Sequence, residues 1–153
     1  LMLPFFQPEI SPRVTLEEPL LAGSSAFEAW EDGPAAVRGC VEGQFLNMRL
    51  RSGWMQLETG VIYLTGGASD NDALAQIVAD IFQVRVERLA VSGSVALGAA
   101  MRAAQFVLGV PLAVLEKAFC QPLPKSVKVP AANTADTYRA MQERLQSYLA
   151  DKL

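Results

Sequence analysis

Apolar residues recur along this chain at two spacings, and each change of spacing marks an element. Between residues 1 and 33 neither holds, because Pro4, Pro8, Pro12 and Pro19 deny any long helix; this third reads as irregular. From Pro34, a residue suited to a first helical position, Val37, Val41, Phe45 and Met48 fall on one stripe, and Gly53 supplies a stop. The β-branched run from Val61 to Thr65 predicts a buried strand. Helical spacing returns with Leu74, Ile77, Val78, Ile81 and Phe82 on one face. Val84 and Val86 then alternate with Arg85 and Glu87, which predicts a short strand. "SGSVALGAAMRAAQFVLG" predicts a small-residue helix ending at Gly109, with Leu97, Met101, Ala104 and Leu108 toward the core. After a proline-punctuated link from Pro122 to Pro130 comes a last helix with Tyr138, Met141, Leu145 and Tyr148 inward. That stripe could also serve a homodimer interface.

From residue 34 the order is helix, strand, helix, strand, helix, helix, an α/β pattern. Two strands are too few for a complete sheet. Either the irregular third supplies more, or the sheet lies mostly in chain beyond these residues. The opening "LMLPFFQPEI" runs straight into apolar and proline residues and reads as cut from something longer. At 153 residues the chain is expected to be one domain or one part of a larger one.

Composition narrows the function. Hydrophobic residues make up 51% and charged residues 19%, which suits a globular core and argues against a disordered chain. A net charge of -3, a pI near 5.0 and scattered basic residues argue against nucleic acid or an anionic membrane as partner. The apolar region from Val95 to Leu115 is broken by Arg102, Gln105 and Pro111, so it predicts no membrane span. The start lacks a basic segment and predicts no signal peptide. Cys40 and Cys120 read as buried thiols, and a cytoplasmic location is expected. Histidine is absent, which removes Ser-His and Cys-His nucleophiles and imidazole metal sites; no transition metal is expected.

The chemistry concentrates at "VIYLTGGASDND", residues 61 to 72. The end of a strand entering a helix is where open α/β sheets bind ligands. Gly66 and Gly67 lack Cβ atoms, so a flat ligand or a phosphate can approach the backbone there. The helix opening near Asn71 would point free N–H groups and a positive dipole end at the same spot. Asn71 would cap that helix or offer its amide to a ligand, with Ser69 and Asp70 as alternative caps. No GK[ST] follows and no GxGxxG is present. Taken alone, a Gly-Gly pair is more often a turn than a site.

The wider stretch shifts that balance. "YLTGGASDNDALAQIVADIFQVRV" followed by "SGSVALGAAMRA" resembles the C-terminal domain of the FGGY carbohydrate kinases. That family shows a strand, T/D-G-G-x-x-x-N, a helix with A-D before a short strand, and a helix with A-L-G-A-A. The "TGGAS" form is most similar to the xylulokinase branch. "LPFFQPEISPR" is similar to the family's "LP(Y/F)-x-G-E-R-(T/S)-P" segment, and "AAVRGCVEGQFLNMR" to its "R-A-x-x-E-G" helix. One departure lies near the start, where Gln7 and Pro8 stand before the Glu and the Arg comes later.

The resemblance implies an actin-like (ribonuclease-H-like) ATPase half-domain. Residues 1–153 would be the C-terminal nucleotide-binding lobe of a sugar kinase, a fragment incomplete at its N-terminus. In that family the second glycine and the Asn of the motif sit against the nucleotide. Carried over, these are Gly67 and Asn71, with Gly66, Ala68 and Ser69 as neighbours. ATP would be held in a cleft, with Mg2+ bridging its phosphates to residues of the missing N-terminal lobe. The γ-phosphate would pass to a sugar hydroxyl, with D-xylulose favoured over glycerol, gluconate or ribulose. The kinases also need a D-x-G-T phosphate loop, a T-G-T-S-like loop and a catalytic Asp. None is present in these residues, and the Asp is expected shortly before Leu1, so this chain alone is expected to be inactive. The alternative is a non-catalytic kinase-like module with a regulatory or protein-association role, and upstream sequence separates the two.

Other residues receive structural readings. Asp70 and Asp72 favour a first helical turn through the dipole. Asp80 matches the family's A-D and reads as solvated or structural. Ser92 and Ser94 read as N-caps of the small-residue helix, whose Gly98, Ala99 and Ala100 would allow close packing. Trp30 and Trp54 read as packing residues.

Overall fold

Between the prolines of the first third the backbone still finds partners. β1 (Met2–Leu3) pairs antiparallel with β2 (Leu20–Leu21), Met2 opposite Leu21. Glu9 and Val14 exchange backbone hydrogen bonds of 3.0 Å. Ser24 caps the short α1 (Ser25–Glu28) by accepting from the Phe27 N–H. The expectation of an irregular segment is corrected to this extent: proline excludes a long helix but not short ladders built on its neighbours. The computed structural model describes residues 1–11, 13–15, 18–56, 60–91 and 93–152. Among them, two compact units form: Leu1–Glu58 with Asp80–Phe82 and Ala132–Leu153, and Thr59–Ala79 with Gln83–Ala131.

In the first unit, α2 (Gly33–Ser52) starts as expected, with Pro34 in its first turn and the Asp32 carboxylate accepting from Ala35 N–H at 3.0 Å. Its buried face is not the expected one. Ala36, Gly39, Glu42, Gly43 and Leu46 are buried, whereas Val37 and Met48 are exposed. The reason is β1, which lies so close to the helix that a Cβ on Gly43 would stand 2.3 Å from the Met2 carbonyl oxygen. Small residues admit the strand, and larger ones would hold it off. Met2, Phe27 and Ala36 form the core there, with Leu21 and a half-buried Cys40 packed against them. Trp30 and Trp54 are exposed rather than packed, Trp30 at a φ of 61° and Trp54 in the 3-10 turn Gly53–Met55.

α6 (Thr134–Lys152) turns its stripe inward as expected: Tyr138 and Leu145 are buried, together with Leu149, while Met141 and Tyr148 are half-buried. The Tyr138 hydroxyl donates to Glu42 Oε1 at 2.8 Å, and Arg38 Nε donates to the same oxygen at 2.8 Å. Gln142 adds a 3.2 Å bond to the Leu46 carbonyl. A buried carboxylate is tolerable only when so paired.

The second unit is built on a parallel pair, β3 (Val61–Leu64) and β4 (Arg85–Arg88), with Val61 opposite Arg85 and Leu64 opposite Arg88. Parallel strands need a crossover, and α3 (Asp72–Phe82) provides it, ending at Gln83 with a φ of 56°. Both strands fall within a residue of their expected places, but β3 is not the buried strand expected: Val61, Ile62 and Leu64 are half-buried and Tyr63 is exposed. The simple alternation in β4 fails, because Glu87 is buried beside Val86 and pairs with Arg85. The proline-punctuated link also belongs to this layer: Val86 and Lys128 exchange backbone bonds of 2.9 and 2.8 Å.

α4 (Ser94–Leu108) follows, closing at Gly109 with a φ of 68°. Leu97, Met101 and Ala104 are half-buried, but Leu108 is exposed, contrary to expectation. Its N-cap position belongs to Gly93, with no side-chain cap; Ser94 is the first helical residue and Ser92 lies outside the described residues. α5 (Leu112–Phe119), preceded by Pro111 and burying Leu115, occupies a span to which the residue pattern assigned nothing. Cys120 is half-buried, its sulfur 4.0 Å from that of Met101. The architecture is mixed α/β. No described helix is long and apolar enough to cross a membrane.

The Glu42–Tyr138 bond yields a pH test. Burial, then the hydrogen bond to Glu42, pushes the Tyr138 phenol up to about 12. The neutral form is favoured by folding, so this contribution is complete below the unfolded phenol's value, about 10, and is lost as pH rises through about 12. Tyr138→Phe should cost about 1–2 kcal/mol near neutral pH. In urea unfolding from pH 7 upward, the gap between the two proteins should narrow in the alkaline range. A gap that is constant with pH would contradict the assignment.

Candidate functional site

The site begins where β3 stops. Thr65 leads into Gly66, whose φ of 91° and ψ of 179° lie in a region essentially closed to residues with a Cβ. Gly67–Asp70 then forms one 3-10 turn, with Ser69 N–H bonded to the Gly66 carbonyl at 3.1 Å and Asn71 N–H to the Ala68 carbonyl at 3.2 Å. The Ser69 hydroxyl also donates to the Gly66 carbonyl, at 2.6 Å. Gly66, Gly67, Ala68, Ser69 and Asn71 are thus brought together on a single turn, with Gly67, Ala68 and Asn71 exposed.

The two glycines have different reasons to be glycine. Gly66 is required by its backbone. Gly67 has no positive φ, and a Cβ on it would meet nothing within 4 Å. The fold does not demand Gly67, and the space in front of it is open.

Asn71 resolves its alternatives in favour of capping. Its side-chain oxygen accepts from Ala73 N–H at 2.9 Å and from Leu74 N–H at 3.1 Å. The first-turn donors expected to be free are therefore partly taken, and Asn71 has its amide NH2 to offer outward. Ser69 and Asp70 do not cap α3.

Two cations escaped the residue reading. Arg88, ending β4, donates to Asp72 Oδ1 at 2.7 Å and to the Ser69 carbonyl at 3.2 Å, and lies 3.9 Å from Asp70. Lys128 Nζ reaches the other Asp72 oxygen at 3.2 Å. Asp72 thus has a specific partner set beyond its dipole role. The available signal was the register: a residue closing the second of two parallel strands must lie beside the turn that closes the first. Asp80, expected to be solvated or structural, is buried at 6% exposure, which excludes the solvated reading. Among the described residues no group of three or more His, Cys, Asp or Glu could hold a metal.

Residues 21–105, more than half of the chain and including this strand, glycine turn and crossover helix, match the C-terminal domain of the FGGY family of carbohydrate kinases. The chain belongs to that family. Xylulose kinase of Mus musculus is 28% identical over 140 residues, covering 89% of this chain and 25% of its own length. Xylulose kinase 2 of Arabidopsis thaliana is 30% identical over 137 residues, covering 80% of this chain and 25% of its own. This FGGY chain thus spans about a quarter of the length of these curated relatives.

Among solved structures, ligand-bound xylulose kinase from Lactobacillus acidophilus superposes with a TM-score of 0.77 at 23% identity, over 97% of this chain and 30% of that one. Glycerol kinase of Plasmodium falciparum with ADP gives 0.76 at 16% identity, over 100% of this chain and 30% of that one. At such identities the likeness concerns the fold.

The contrast between the glycines is measurable. Gly66→Ala should destabilise the protein by about 1–3 kcal/mol, since it forces a Cβ into a strained conformation. Gly67→Ala should stay within about 0.5 kcal/mol of the parent, as an exposed substitution with open space. Chemical denaturation of both variants checks this, and equal losses would contradict it.

Proposed function

We propose that this chain is the ATP-binding part of a sugar kinase that transfers the γ-phosphate of ATP to a sugar hydroxyl, D-xylulose to xylulose 5-phosphate. The observation that carries the reading is Gly67: a bare, exposed backbone at a strand end, with no need for glycine within the fold, in a chain that belongs to a carbohydrate kinase family. A nucleotide lying against that backbone supplies the missing reason. Gly66 and Gly67 would form the floor, Ala68 and Ser69 the neighbouring wall, and the free amide of Asn71 a hydrogen-bond donor. D-xylulose is favoured because the mouse, rat and Arabidopsis relatives are all xylulose kinases. The gluconate and glycerol kinases among the structural neighbours keep other acceptors within the same class.

On this reading residues 1–153 are the C-terminal nucleotide-binding lobe, of actin-like ATPase type, of a larger cytoplasmic protein whose N-terminal lobe holds the sugar, the phosphate loop and the catalytic Asp. The open space over both glycines would let a nucleotide approach the backbone. Magnesium would neutralise charge on the ATP phosphates, with its ligands on the other lobe. What this chain contributes is the shape of the turn and the placing of the nucleotide. By itself it would transfer no phosphate.

The test is an ATP-dependent phosphorylation assay of the full-length protein on a sugar panel headed by D-xylulose, beside the 153-residue chain. Activity in the former and none in the latter is expected. Gly67→Leu, which fills the floor, should raise the KM for ATP at least about tenfold, or ~1.4 kcal/mol. A full-length protein active on no sugar would favour a non-catalytic role and overturn the proposal.

A further inference from the structure

Arg88 closes β4 where the parallel register sets it opposite Leu64, the last residue of β3. Its main chain is fixed on the far side: its N–H donates to Ser126 Oγ at 2.9 Å, and its carbonyl accepts from Leu123 N–H at 2.8 Å. Its side chain is only 15% exposed, although the Asp70 and Asp72 side chains stand 87% and 64% in solvent. Ion pairs with such exposed carboxylates contribute little to stability, so they do not explain a sunken guanidinium. Nε is buried with no hydrogen-bond partner, and both directed bonds come from the fork. Nη1 goes to the Ser69 carbonyl and Nη2 to Asp72 Oδ1. Ser69 lies before Asn71 and Asp72 after it. One planar group therefore grips the chain on both sides of the residue that caps α3.

We infer that Arg88 is a positioning residue: it holds the Gly67–Asp70 turn and Asn71 in the shape that receives the nucleotide, without touching the nucleotide itself. The inference rests on the reading of this turn as the ATP site. Without Arg88 the turn loses its direct tie to β4 and keeps local bonds: Ser69 N–H and hydroxyl to the Gly66 carbonyl, Asn71 N–H to the Ala68 carbonyl, and the Asn71 cap on α3. A turn ordered only on binding charges that ordering against affinity, while one held in advance does not. The two bonds leave from separate nitrogens of a rigid fork, so lysine, a single compact cation, can replace only one of them.

The experiment uses the full-length kinase with Arg88→Met, Arg88→Lys and Asp72→Asn, the last a change at an exposed side chain that leaves the buried layer intact. Amide hydrogen exchange over residues 66–71 is measured without nucleotide, and KM and kcat for ATP are measured beside it. Arg88→Met should speed exchange in this segment and raise the KM for ATP about tenfold, with kcat changed less than about twofold. Arg88→Lys should recover part of both effects, and Asp72→Asn should show a smaller loss of the same kind. Unchanged exchange in Arg88→Met overturns the inference whatever the nucleotide does. Faster exchange with unchanged KM also overturns it, while leaving the ATP site standing. A wild-type protein that neither binds nor uses ATP removes the proposed function instead, and the inference with it.

Discussion

The second unit depends on one constraint: β3 and β4 run parallel. A parallel partner cannot be reached by a tight turn, so the chain must leave β3, cross over and return. The turn at residues 66–71 and α3 are that crossover, and the register then decides what lies beside the turn. Leu64 opposite Arg88 places a guanidinium next to the glycines, and the antiparallel bridge from Val86 to Lys128 brings a second cation to Asp72. The polar network around the turn follows from strand order rather than from any local motif.

The first unit works on the opposite principle. There the tight point is steric: a strand carbonyl approaches a helix so closely that only glycine fits at position 43. The helix face that meets β1 is accordingly poor in large side chains, and Glu42 within that face is tolerable because Tyr138 and Arg38 both donate to it. Close packing and polar satisfaction are supplied by neighbours in sequence, Glu42 and Gly43, one binding α6 and the other admitting β1.

These two principles explain what could be read from residues alone. The places of β3 and β4 were legible from short β-branched stretches, and α3 and α6 because their large apolar residues recur at helical spacing and face inward, as at Val78, Ile81, Tyr138 and Leu145. The face of α2 was not, because periodicity weighs side-chain size while the packing there selected smallness. β1 and β2, of two residues each, carry no periodicity to detect. α5 was hidden inside an apolar run continuous with α4, separated from it only by Gly109 and Pro111. At the candidate site, the glycine pair and Asn71 were visible as a motif. Arg88 and Lys128 were not, since nothing near them in sequence links them to residue 72; only the register does.

The same register bears on how a site of this kind can be both open and ordered. An exposed turn with bare backbone toward solvent gains little from burial and has few bonds of its own, so it would be expected to sample many shapes. Here the outward side is left free while the fixing contacts come from behind: Gly66 limits the backbone path, Asn71 ties the turn to α3, and Arg88 ties it to β4. Each restraint acts on a different neighbour, and none occupies the space in front of Gly67. Order is imposed from the sheet and helix side so that the opposite side can remain empty, and a ligand entering that space would meet a surface already shaped.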